Sequence, residues 1–456
     1  MKSTLPKESR LKKFTNNPKK ALWTLALPIL AGMAIQTIYT LVDMIYIGRL
    51  GGDAIAAVAF NMPLLFFILG LSMGLGSGVT ASIARFIGAD DKVNADNSAE
   101  HSLLIAFIIS IIMVITGLIF GKQMLKLLGT TPEILNMAWS YLRIIAIGLF
   151  FMIFSVFFRS ILAGEGDMKK AMLISAIGTI LNIILDPIFI FVLGYGVMGA
   201  AIATVISQVI VFTIFIYIFL VKEQTYVSFE LKDFSWSNYI LYDIIKVGVP
   251  ASMAMIIMSA GQAVFNKILV SYSAYSVAAY QIGGRIDMLI FLPIMAIAIA
   301  LTTLVGMFYG ANDNENVKFI IKYGMSRSFF ITVISSMLIF VFAPTIVQAF
   351  SKEVVIQQIA VKYLRIIVFI YPLISIGMTS GRVMQGLGLG LPMLVTTIIR
   401  VLGLSAPLAL IFNYVFHKPI EWVWYAMVIS TVIAVAIAML WLRIVLKQRK
   451  IIIFNS

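Results

Sequence analysis

The stretch ALWTLALPILAGMAIQTIYTLVDMIYIGR, Ala21 to Arg49, decides the fold. From Ala21 to Val42 it runs 22 residues without a charge, and Asp43 then appears before the apolar block has ended. A run of that length suits a helix crossing a hydrocarbon core about 30 Å thick, whereas a barrel strand needs only about 10 alternating residues. Further blocks of similar length follow between charged clusters, giving twelve predicted spans at about 21–47, 54–84, 102–121, 144–163, 171–193, 197–220, 247–271, 288–308, 328–350, 366–387, 393–413 and 423–442. The composition agrees. Of 456 residues, 61% are hydrophobic and 12% charged, against roughly 25% charged in an ordinary soluble domain, and the mean hydropathy is +1.02. The expected fold class is an all-α integral membrane protein.

The basic N-terminal segment, residues 1–20, precedes an apolar block with no small-residue cleavage site, so that block is expected to be a mature helix and not a signal peptide. The net charge of +14 raises nucleic acid as a partner, but the distribution of the charge argues for topology instead. Placing Lys and Arg on alternate sides of the spans puts 21 with the N-terminus and 9 opposite, with four inside spans. By the positive-inside rule both termini are expected in the cytoplasm, with the basic excess also attracting anionic lipid headgroups. No nucleic-acid partner is expected.

A repeat at an offset of 222 residues holds without gaps. It pairs Pro28 with Pro250, Ala56-Ala57 with Ala278-Ala279, Gly88-Ala89 with Gly310-Ala311, Asp91 with Asp313, and Gly164-x-Gly166 with Gly386-x-Gly388. Six helices per copy, an even number, give both copies the same orientation, as in parallel-repeat transporters. The predicted organisation is a bundle over 21–221, a linker over 222–246 carrying Glu223, Glu230, Lys232, Asp233 and Asp243, a second bundle over 247–442, and a tail over 443–456.

A charge within a span costs at least about 2.5–3.5 kcal/mol on insertion scales and usually faces a cavity. From Ala171 to Val221 the only charged side chain is Asp186, in LNIILDPIF. Counting along the helices at about 1.5 Å per residue puts Asp43, Asp186 and Thr204 at similar depth in the outer half of the first bundle. Asn182, four residues before Asp186, shares its helix face. Pro187 cannot donate to the carbonyl of Ile183 and is expected to kink the helix there. Two carboxylates, an amide oxygen, a hydroxyl and a freed carbonyl are hard ligands for a small cation; the same carboxylates, away from water, can instead carry protons. Against this stand blander readings: Asp43 as an interfacial helix end, Asp186 as a structural hydrogen-bond partner.

Other intramembrane charges read more simply. Arg159 and Arg382 lie near the cytoplasmic ends of their spans, within snorkelling reach, while Arg400 is further inside and Lys267 sits near an outer end. Asp287, beside Arg285, reads as a charge at the start of span eight. The 25 methionines suit either adaptable cavity walls or ordinary packing. The chain has no cysteine, its two histidines, His101 and His417, read as loop residues, and no H-x-x-x-H or nucleotide-binding loop occurs. No catalytic residues and no cofactor are expected, so pumping would draw on an ion gradient or a partner.

With LALPILAGMAIQTIYTLVDMIYIGRLG, GLGSGVTASIARFIGA, ILAGEGDMKKAM, LNIILDPIFIFVLGYGVMGAAIATVIS and MQGLGLGLPML in order, the chain resembles the MATE family of multidrug and toxic compound extrusion antiporters, in its DinF-like branch within the MOP flippase superfamily. The resemblance covers essentially the whole chain. It implies two six-helix bundles forming a V, and export of amphipathic, often cationic, compounds across the cell membrane in exchange for H+ or Na+; a monomer is expected. It places the coupling site on Asp43, Asn182, Asp186 and Thr204, which would also be the metal ligands if the ion is sodium, with Tyr39 and Tyr141 in an associated hydrogen-bond network. Ser155, Val156 and Thr40 stand where some relatives carry asparagine. At the repeat-equivalent positions of Asp43 and Asp186 the second bundle has Phe265 and Leu408. The rival readings are a flippase for lipid-linked sugars and, from another class, an intramembrane enzyme with two aspartates as acid and base.

Overall fold

The computed structural model describes residues 10–222, 224–229 and 234–451. Glu223, Glu230, Lys232 and Asp233, counted among the charges of the linker, lie outside the described residues.

A short helix α1 (Leu11–Asn16) leads into α2 (Pro18–Gly48), α3 (Gly52–Gly88), α4 (Lys92–Leu127), α5 (Pro132–Gly164), α6 (Met168–Pro187) and α7 (Gly196–Ile216). The second half repeats the pattern with α8 (Asn238–Val270), α9 (Ala274–Gly310) and α10 (Asn314–Gln348). The tenth and eleventh spans are broken or irregular, made of α11 (Val354–Ile367) and α12 (Tyr371–Gly386), then α13 (Leu391–Ile398) and α14 (Ala406–Leu410), before the continuous α15 (Glu421–Gln448). Twelve spans, some of them joined helical pieces, are long and apolar enough to cross a membrane, and among the described residues there are no strands. The seventh span begins at Asn238, inside the stretch read as linker. His101 belongs to α4 and Asp287 lies well within α9, not in a loop and not at a helix start as expected. Polar neighbours caused both misreadings: they imitate a helix end in sequence while the backbone hydrogen bonds run on.

The repeat governs the backbone in detail. Asp91 caps α4 through the Asn94 N–H at 3.1 Å, and Asp313 caps α10 through Asn316 at 3.0 Å. Just before them Asp90 and Asn312 both take the left-handed conformation, as do Gly166 and Gly388. The Thr80 hydroxyl donates to the Ser160 carbonyl and the Thr302 hydroxyl to the Arg382 carbonyl, again one repeat apart.

The two bundles meet at the face that carries α1 and the C-terminal end of α15. A Cβ on Gly88 would stand 2.0 Å from the Met307 carbonyl oxygen, and one on Gly310 would stand 2.1 Å from that of Arg85. Arg85 and Met307 are themselves repeat partners, so this contact is reciprocal across the pseudo-two-fold axis. Arg85 adds an ion pair to Asp243 at 2.5 Å and donates to the Gly386 carbonyl. Helix α1 lies over the seam: Arg10 pairs with Asp167 at 2.6 Å, Phe14 is buried against Gly166, and Asn316 donates to the Thr15 carbonyl. A shared apolar core from both halves underlies this face, whereas a separate core fills the far end of the second bundle. Toward the opposite face, α2 is largely uncovered, and its buried residues stop at Ile29 apart from Ile47.

Candidate functional site

Four helices of the first bundle, α2, α5, α6 and α7, converge on the sequence-predicted residues. Close approach is built in with small residues. Gly178 faces Val211 between α6 and α7, and Gly148 faces Val205 between α5 and α7, each leaving no room for a side chain. The outer end of α2 is pinned by Tyr46, packed edge-on against Phe191 with ring centroids 6.2 Å apart.

Asp186 is fully buried on α6 and Asn182 nearly so. The helical spacing brings the Asn182 amide N–H onto Asp186 Oδ1 at 2.7 Å, and the Tyr39 hydroxyl reaches across from α2 to donate to Asn182 Oδ1 at 3.0 Å. Asp186 Oδ2 is buried with no hydrogen-bond partner. Asp43, half-buried one turn beyond Tyr39, has no hydrogen-bond or ion-pair partner among the described residues. Asp43 and Asp186 feel each other's charge, and Tyr39 and the buried Tyr141 lie in the field of both. Thr204 donates to the Ala200 carbonyl at 3.0 Å, one turn back on its own helix, and lies beside the Tyr39 hydroxyl. Pro187 does not break the helix sharply. The chain continues as a π-helical turn, Ile188–Val192, and span eleven ends the same way at Ile411–Val415.

The six predicted residues are therefore neighbours in one place, although among the described residues the side-chain hydrogen bonds chain together Tyr39, Asn182 and Asp186, with Thr204 beside the Tyr39 hydroxyl. The buried Ser155 and Val156 of α5 contribute differently: Ser155 bonds back to the Phe151 carbonyl of its own helix. Among the described residues no group of three His, Cys, Asp or Glu side chains is arranged to hold a metal ion. What remains is an acidic, oxygen-rich cluster with two unsatisfied carboxylate faces in an apolar bundle, a setting that takes up a proton or a small hard cation.

Two polar centres lay beyond the sequence reading. Glu165, in the turn after α5, is buried and accepts the Val227 N–H at 2.9 Å. His101 receives the Ser237 N–H on Nε2 at 3.0 Å while its Nδ1 bonds the Asn97 carbonyl. Together with the Asp96 carboxylate, which accepts the Ser228 N–H at 2.9 Å, they clamp the linker onto the first bundle. A sequence signal existed for each: a titratable residue beside helix-ending glycines, and a histidine in register with an otherwise regular helix.

Comparison with known proteins agrees with this architecture. The MatE family profile matches residues 28–188 and 250–411, two segments that begin at the repeat-related Pro28 and Pro250. "Probable multidrug resistance protein YoeA" of Bacillus subtilis is 27% identical over 87% of each chain. Multidrug export protein MepA of Staphylococcus aureus is 27% identical over 90% of this chain and 91% of its own. A solved structure from Pyrococcus furiosus, described as a MOP superfamily transporter whose reverse polarity of binding pocket suggests different function, is 35% identical. It superposes with a TM-score of 0.92 over 99% of this chain and 100% of its own. Two matched segments spanning most of the chain, on the twelve-span frame of a solved transporter, make this chain a member of the MATE family, a membrane transporter and not an enzyme.

Proposed function

We propose that the chain is a cation-coupled antiporter that exports amphipathic, often cationic, small molecules across the cytoplasmic membrane, working as a monomer with both termini in the cytoplasm. The observation that carries this reading is the pair of acidic side chains in the first bundle: among the described residues Asp186 has one oxygen unsatisfied and Asp43 has no hydrogen-bond or ion-pair partner. Such a pair lowers its free energy by binding one positive charge, which a proton, a sodium ion or a cationic substrate can supply.

A proton needs only the carboxylates. A sodium ion would draw on oxygens of Asp43, Asp186 and Thr204, with Asn182 joining once its amide turns, since its oxygen accepts from Tyr39 in this arrangement. Competition between substrate and cation for that charge couples their movements, provided their affinities differ between the two facing states. The closed seam at the face carrying α1, with α2 uncovered toward the other, supports assignment of this conformation to the outward-facing state.

The experiment is export of ethidium by proteoliposomes under an imposed proton or sodium gradient. Export driven by one of the two gradients is expected. Export that needs neither, or no export under both, overturns the reading.

A further inference from the structure

The second bundle was read as chemically empty at the positions equivalent to Asp43 and Asp186, yet it holds a carboxylate elsewhere. Asp287 lies within α9 and accepts two phenol hydrogen bonds: Tyr363 donates to Oδ2 at 2.6 Å and Tyr371 donates to Oδ1. Both rings are buried, at 3% and 0% exposure. The two tyrosines stand on either side of the break in span ten. Helix α11 ends at Ile367, a 3-10 turn occupies Val368–Ile370, and α12 starts at Tyr371 followed by Pro372. A carbonyl released at the break, that of Val368, is taken by the Ser336 hydroxyl of α10 at 2.9 Å. One carboxylate thus ties together the two pieces of a discontinuous helix, the kind of element around which transporters place their ion sites.

The repeat sharpens the comparison. Tyr363 is the equivalent of Tyr141 at the offset of 222, so each bundle sets a buried tyrosine of the same span beside a carboxylate. In the first bundle the carboxylates come from α2 and α6, in the second from α9. Among the described residues no cationic side chain pairs with Asp287. The titratable and charged groups around it are Tyr363 and Tyr371 from span ten, Tyr280 on α9, Arg400 of span eleven beyond Tyr280, and Arg285 two residues back on its own helix. Trp424 of α15 closes the far side of Tyr363 with ring centroids 4.8 Å apart.

We propose that Asp287 is a second proton-carrying site, in the C-terminal bundle, and that its loading sets the tie across the break in span ten. This rests on the antiport reading. Each carboxylate oxygen already accepts a phenol hydrogen bond, and because a hydroxyl can both donate and accept, a proton can join this cluster by exchanging those roles, whereas a metal ion would have to displace the phenols. When a proton adds to one carboxylate oxygen, that oxygen becomes the donor, and the phenol that had donated to it must turn and accept or let go. One of the two ties is thereby reversed or lost, and α11 and α12 are freed to change their relative angle; release of the proton restores both bonds. The net event is the uptake or release of one H+, with no other bond made or broken.

The test uses the full chain in proteoliposomes with the membrane potential clamped at zero and ethidium as the probe. The ethidium concentration ratio at zero net flux is read under a proton gradient of about one pH unit, where each coupled proton contributes about tenfold. Asp287→Asn is expected to lower that ratio about tenfold while leaving it above one. An unchanged ratio overturns the proposal, as does accumulation driven by sodium with no dependence on protons. Should Asp287→Asn fail to exchange ethidium at all, the double variant Tyr363→Phe, Tyr371→Phe keeps both rings and removes both donors. It is expected to give the same fall, and an unchanged ratio there overturns the proposal equally. If the unsubstituted chain shows no ion-driven accumulation under either gradient, the antiport reading itself fails.

Discussion

At the scale of single residues the account turns on how Asp186 is held. Asn182 donates to one of its oxygens and is itself fixed by Tyr39, leaving the other oxygen unsatisfied in a buried setting. Leaving a buried charged group without its partner is costly, by about 1–3 kcal/mol or more. Replacing Asn182 with leucine, which keeps the branched shape without the amide, removes the one hydrogen bond that the Asp186 side chain receives among the described residues and unlinks Tyr39 from it. Ion-driven ethidium export is then expected to fall about tenfold or more at unchanged expression; wild-type export would show that the amide does not serve the site. The sequence exposed Asp186 because a lone charge between Ala171 and Val221, across two spans, is unmistakable. Asp287 was misjudged because Arg285 two residues away made it look interfacial, and its partners, Tyr363 and Tyr371, lie two spans further along the chain.

At the scale of elements the described part of the linker is held against the first bundle through its backbone. A polar, charged stretch between two repeats looks like a tether, whereas here Glu165, Asp96 and His101 each hold one of its backbone N–H groups. Glu165 makes this docking sensitive to pH. Burial pushes its carboxyl up to about 7, against the opposing backbone N–H bonds from Val227 and Tyr226. An undocked, solvated Glu165 would titrate near the ordinary carboxylate value, so docking takes up a proton. Its contribution is full at pH below that ordinary value and is lost as the pH rises through about 7. Hydrogen exchange of residues 224–229, corrected for intrinsic rates, should therefore slow as the pH falls from about 8 to about 6. Glu165→Gln should remove most of that dependence; protection that grows with rising pH would contradict the assignment. The residue carried a sequence signal, a titratable group beside helix-ending glycines, but its partner did not, because the contact joins a turn to a loop about sixty residues away without regular periodicity.

At the scale of the whole molecule the two halves meet through glycines. Gly88 and Gly310 each lie against a backbone carbonyl of the opposite half, which cannot move aside as a flexible side-chain tip could. Gly310→Val should weaken closure of that face by about 1–3 kcal/mol, shifting the open-to-closed ratio by roughly 5- to 150-fold. The chain has no cysteine, so a single reporter is unambiguous: Ala84→Cys, buried where α3 meets Gly306 of α9. Its thiol should react with a water-soluble maleimide faster in the Gly310→Val background, and an equal rate in both would show that the glycine contact does not hold the halves together. The repeat was legible because turn glycines, caps and prolines act locally and survive at a fixed offset. The angle between the halves was not, since it depends on carbonyls and small residues that no periodicity records. The break in span ten escaped for a similar reason, apolar residues continuing through it on both sides.

The central claim is that substrate and coupling ion compete for the carboxylates of the first bundle. Its most direct test is equilibrium binding of ethidium to the detergent-solubilised full chain over a range of pH and of sodium concentration. By linkage, an ion that substrate displaces must weaken substrate binding in proportion, so the apparent Kd should rise as protons or sodium ions are added, approaching tenfold per tenfold increase in the competing ion. Asp186→Asn should flatten that dependence. A wild-type Kd indifferent to both ions, or an Asp186→Asn protein that keeps the full dependence, would contradict the account.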